Sequence, residues 1–116
     1  MKEENAGRCY ELAAKYILNQ WEGDLIHAAV WSDKQQRMID HALVETDTGW
    51  IYEPVTETYH ERTPFFRRYS ISEIKRYTKD EMTEMLCQKM TYGPWAPEVL
   101  AFISERELTD DCSCKV

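Results

Sequence analysis

The chain has 116 residues, room for one domain, and carries 21 acids against 14 bases for a formal charge of −7. Ile, Leu, Val and Phe number 22, and Met, Trp and Tyr raise the core-forming set to 38, enough for one core built partly from aromatic rings. This balance excludes collagen-like, mucin-like and disulfide-stapled classes, and it argues against nucleic acid as a partner, since phosphate binding needs a basic surface.

Along the chain, Leu12, Ala13, Tyr16 and Ile17 recur at helical spacing between Cys9 and Gln20, with Glu11, Lys15 and Asn19 left for water. Gly23-Asp24 stops that helix. Leu25 to Trp31 reads as a short strand, apolar enough to be central. After a polar turn from Ser32 to Arg37, Met38 to Glu45 and Trp50 to Val55 are β-prone runs joined by Thr46-Asp47-Thr48-Gly49, an antiparallel hairpin. Thr56 to Pro64 reads as a loop ending in a breaker. Phe65 to Ile71 and Ile74 to Tyr77 are strand-like pieces, although Ser70 to Glu73 also suits a helical cap, and strand is preferred at the end of the segment.

Thr78-Lys79-Asp80-Glu81 is a capping box, and Met82, Met85, Leu86 and Met90 form one apolar stripe behind it. Tyr92 to Trp95 breaks this helix, and a last one is expected from Pro97 to about Arg106. The expected architecture is α+β, with an N-terminal helix packed on a small antiparallel sheet and two C-terminal helices. One domain would span 1–108, with a disordered tail over 109–116.

No apolar run follows Met1 to Asn5, and no stretch approaches the ~18 apolar residues of a membrane helix. A soluble cytoplasmic protein without a membrane partner is expected, with Cys9, Cys87, Cys112 and Cys114 as free thiols. Cys112-Ser113-Cys114 has no second ligand pair close by, so no metal is expected.

Cys9 stands at the predicted start of a helix, where unpaired N–H groups and Arg8 favour a thiolate. Placement alone fits a core thiol better than a catalytic one. His41 lies on the first strand of the hairpin. With the turn centred on Asp47-Thr48 it faces a residue near 54, which makes Glu53 a cross-strand neighbour able to fix the imidazole. A slip of one residue would put the two on opposite faces.

Gly7-Arg8-Cys9-Tyr10-Glu11-Leu12-Ala13, His41-Ala42-Leu43-Val44-Glu45 and Gly49-Trp50-Ile51-Tyr52-Glu53-Pro54-Val55 together resemble the core of the papain-like and transglutaminase-like superfamily. The chain also resembles small uncharacterised proteins of bacterial and phage origin, through the hairpin, Arg76-Tyr77-Thr78 and Tyr92-Gly93-Pro94-Trp95. The resemblance implies Cys9 as nucleophile, His41 as base and Glu53 as orienting acid. The reaction implied is hydrolysis or acyl transfer at an amide, thioester or isopeptide bond, without a cofactor. The substrate would be a protein, a peptide, or a small amide or thioester. Glu53 stands where Asp or Asn is usual, Leu43 replaces the usual Trp, and Asn5 is the only nearby amide for an oxyanion hole.

His27, in an apolar strand, reads as a hydrogen-bonded core or pocket histidine, and His60 as a solvated loop residue. Six bases between Arg62 and Lys79 face a single acid, Glu73. Arg67, Arg68 and Arg76 in that run are the candidate patch for an acidic partner, with pairing to the chain's own acids as the alternative. The competing function is a non-enzymatic binding protein of the same fold, of which a phage-type modulator of a host protein is one form. A weaker third is a subunit that dimerises through exposed aromatics.

Overall fold

A computed structural model describes residues 8–99 of the chain. Eight elements follow in order: α1 (Cys9–Gln20), β1 (Asp24–Ser32), β2 (Arg37–Glu45), β3 (Trp50–Glu53), β4 (Thr58–Glu61), α2 (Arg62–Arg68), β5 (Ser72–Tyr77) and α3 (Lys79–Lys89). The fold is α+β, with the strands in one antiparallel sheet of order β4-β3-β2-β1-β5. As its apolar composition suggested, β1 is central, paired with β2 from Asp24↔Glu45 to Ser32↔Arg37 and with β5 on its other side.

Both faces of the central strands are buried, because helices cover the sheet from either side. On one face lie Leu25, Ala42, Val44, Val55 and Tyr77, packed with Cys9, Tyr10, Ala13, Ala14 and Ile17 of α1, Met82 of α3 and Trp95. The other face presents Ile26, Ala28, Val30, Ile39, Leu43 and Ile51, against which Phe65, Phe66 and Ile71 pack from the α2 region. The alternation along β2 is strict: Ala42 and Val44 belong to the α1 face, Ile39 and Leu43 to the α2 face.

Local chemistry explains the element ends. Trp21 closes α1 in the left-handed conformation, its N–H donating to the Ile17 carbonyl. Gly23 (φ +97°) then enters β1 so close to β2 that a Cβ there would stand 2.9 Å from Val44 Cγ1 and 3.1 Å from the Glu45 carbonyl oxygen. Thr78 caps α3 reciprocally with Glu81, as the capping box requires.

Three sequence expectations need correction. The stretch 56–64 holds β4 and the start of α2 rather than a plain loop, and residues 65–68 are helix rather than strand. Pro64 does not break α2 because it is the third helical residue, where its missing N–H has no intrahelical partner to lose. Met90 leaves the apolar stripe: it is the left-handed cap of α3 and 82 % exposed. The helix expected from Pro97 to Arg106 lies mostly, and the tail 109–116 wholly, outside the described residues. Among the described residues no helix is long and apolar enough to cross a membrane.

Candidate functional site

His41 and Glu53 meet. The β2–β3 ladder pairs Val44 with Tyr52 and Glu45 with Ile51, one place from the expected register, so residue 53 falls opposite 43, the neighbour of 41 along the same face. Residues 41 and 53 therefore share the α2 face, and the His41 Nε2 and Glu53 Oε2 atoms lie 2.7 Å apart. The pair is buried, with His41 1 % and Glu53 5 % exposed. Glu53 Oε1 accepts from the Val55 N–H at 2.7 Å. Burial pushes the Glu53 carboxyl upward, but the His41 ring, by its charge and its hydrogen bond, together with the Val55 N–H outweighs that and holds it below its ordinary range. With Nε2–H donating to the carboxylate, an uncharged ring has a lone pair on Nδ1, and that buried atom has no hydrogen-bond partner.

The pair borders a cavity of about 340 Å³ between the sheet and α2. Its apolar wall comes from Val30, Leu43, Phe65 and Ile71, while Thr56, Thr58, His60, Asp33 and Tyr69 supply polar groups. His60 is not simply solvated. Its ring stacks on Phe65 with centroids 4.2 Å apart, and its Nε2 is 2.7 Å from Thr58 Oγ1. The signal for this was the alternation of Thr58 and His60 along a strand, hidden because the segment read as a loop.

Cys9 is not brought to this pair. It is fully buried in the cluster with Ala42 and Val44, whereas His41 lies on the opposite face with Leu43 and Val30, so the sheet stands between them. Cys9 is also disulfide-bonded rather than a free thiol, while Cys87 is free and exposed. A sulfur already bonded to sulfur has no thiolate with which to attack a carbonyl. Iodoacetamide applied to the native protein without reductant should label Cys87 and leave Cys9 unmodified, read by peptide mass spectrometry; labelling of both at one rate would contradict this placement. Asn5, the candidate oxyanion donor, lies outside the described residues.

The basic run from 62 to 79 is largely answered by the chain's own acids. Arg76 reaches Asp24, Glu45 and Glu73 at 2.9, 2.7 and 2.8 Å, and Arg62 lies 3.7 Å from both Glu45 and Glu73. Arg68 bonds Asp33 at 2.6 Å across the cavity mouth, while Arg67 is exposed on α2. These contacts tie β5 and α2 to the central strands, and of the candidate patch only Arg67 points to water without an ion pair of this kind.

His27 also departs from expectation. It is fully buried on the α1 face among Tyr10, Tyr77 and Trp95, with ring centroids 4.8, 5.2 and 5.4 Å away, and neither ring nitrogen has a partner. Burial pushes its pKa down to about 3, so the ring is neutral throughout the physiological range. Among the described residues no three His, Cys, Asp or Glu side chains are grouped to hold a metal ion. No family model, curated protein or solved structure matches the chain.

Proposed function

We propose that this chain is a small-molecule-binding protein whose ligand occupies the cavity between the sheet and α2, with the His41–Glu53 pair as the fixed polar group of the site. The observation that carries the reading is a buried, carboxylate-held imidazole with an unpartnered nitrogen, bordering a cavity of about 340 Å³ with a largely apolar wall. Ligand sites typically combine such a wall with a few positioned polar groups, and this volume falls in their lower range. The carboxylate behind the imidazole fixes its orientation, so a bound hydroxyl or amide N–H would find an acceptor at Nδ1.

The resemblance to papain-like proteins supplied the His–carboxylate half of this site. Its cysteine half asks for a thiolate on the α2 face, and the side chain offered is bonded to sulfur on the other face. The reading therefore keeps the pair and leaves the thiol out.

Filling the cavity tests it. Val30 lines the space, so Val30→Phe should abolish binding of toluene, followed by chemical-shift changes of the cavity methyl groups, while the melting transition stays cooperative. Toluene that binds the folded variant as well as the wild type would show the cavity is not the site.

A further inference from the structure

Resting on that reading of the cavity, we propose that its ligands are neutral, planar molecules of one or two rings that carry an O–H or N–H donor, and that carboxylate anions are excluded. The donor requirement comes from the hydrogen-bond inventory of the pair. Glu53 uses Oε2 on the His41 ring and Oε1 on the Val55 N–H, which leaves the carboxylate no urgent need of a further partner. The carboxylate can only accept, so Nε2 donates to it, and in the uncharged ring Nδ1 is left as an acceptor with nothing to accept from. A buried acceptor without a donor is costly, and a ligand that brings a donor relieves that cost as it binds.

The planar body follows from the wall. Val30, Leu43 and Ile71 offer branched aliphatic surface, and the stacked rings of His60 and Phe65 make a flat side to the space. Anions are disfavoured because Glu53 and Asp33 both line the cavity, and the guanidinium of Arg68 is already paired with Asp33. A carboxylate ligand would be desolvated beside Glu53, and no Lys or Arg among the described residues lines the cavity to answer it.

Access is through α2. The His41 ring is only 1 % exposed, so a donor reaches Nδ1 when the cover moves rather than through an open channel. Phe65 of α2 and Tyr69 at its C-terminal cap line the cavity, and α2 itself contains no fully buried residue. It is held by the Asp33–Arg68 ion pair and by the Trp31 N–H donating to the Tyr69 carbonyl at 2.7 Å. Few buried contacts and an exposed ion pair mark an element that opens at low cost.

The test is a titration of the full chain with phenol, toluene and benzoate, separately, by calorimetry and by two-dimensional NMR. Phenol should bind about tenfold more tightly than toluene, with benzoate undetectable at the same concentrations. His41→Phe alone leaves Glu53 without its ring and is a poor test protein, so the paired variant H41F/E53Q serves beside it. In that variant the phenol preference should vanish, leaving phenol and toluene equal. Equal affinity of phenol and toluene for the wild type, or benzoate binding as well as phenol, would overturn the ligand class while leaving the cavity reading intact. A phenol preference that persists in H41F/E53Q would overturn it too, by placing the recognised donor elsewhere. If none of the three binds, the cavity reading itself fails, and the ligand class fails with it.

Discussion

Replacing His41 by phenylalanine is expected to cost the fold about 3 kcal/mol, the upper end of the penalty for leaving a buried polar group without its hydrogen-bond donor, because the group stranded is a carboxylate. The substitution keeps an aromatic ring of similar shape on the α2 face but leaves Glu53, 5 % exposed, with only the Val55 N–H against its carboxylate. For a domain of this size that is a large share of the total stability, so urea denaturation should show a much lower midpoint with an unchanged slope. The paired variant H41F/E53Q removes the charge and keeps an amide oxygen for the Val55 N–H, and it should recover at least half of the loss. That recovery separates an electrostatic cost from a packing cost. If the single and paired variants were equally unstable, the pair would be only a space-filling contact, and the site built on it would lose its polar centre.

The second large effect is on acid stability, and His27 produces it. In the unfolded chain its imidazole titrates near 6.5, whereas in the fold burial holds it at about 3. The unfolded state therefore binds a proton that the folded state refuses. Stability from this group is fully present above about pH 6.5 and falls as the pH drops toward 3. Between pH 7 and pH 5 the loss should be about 2 kcal/mol from this one residue. His27→Phe, placed in the same ring of Tyr10, Tyr77 and Trp95, should remove that slope, so that wild type and variant diverge in stability as the solution is acidified. The depressed Glu53 carboxyl contributes its own loss at lower pH, and it contributes equally to both proteins, so the difference between them isolates His27. Parallel curves from pH 7 to pH 5 would mean that the ring is protonated inside the fold or is not buried there.

Much of the fold was legible because the signals were local. The capping box at Thr78, the helical spacing through α1 and the turn residues between β2 and β3 each act within a few residues, and each element formed where those signals put it. The meeting of His41 and Glu53 was legible for the same reason: one hairpin fixes it, and a register error of one place did not separate the two, since residues 41 and 53 have the same parity across a pairing of 44 with 52.

What the sequence hid was sidedness. Strand β2 is apolar on both faces, so nothing in Ile39 to Val44 tells which face α1 covers. Cys9 could be read toward His41 or away from it, and the packed structure takes it away. The helix α2 was hidden by Phe65 and Phe66, which read as β-prone, and by Pro64, which reads as a breaker but is tolerated in a first turn. Arg76 read as part of a basic patch because the acids it meets at Asp24 and Glu45 are 52 and 31 residues away in the chain. His27 read as hydrogen-bonded because buried polar groups nearly always are, and the three rings that replace those bonds come from distant segments.

The face of the sheet that receives a ligand decides the assignment of the site. Intermolecular nuclear Overhauser effects in the toluene-loaded protein locate it directly. Contacts are expected to the methyl groups of Val30, Leu43 and Ile71, which line the cavity beside His41, and to none on the α1 side. Contacts to Ala13, Leu25 and Val44 instead would put the ligand with Cys9 on the opposite face and contradict the assignment of the site.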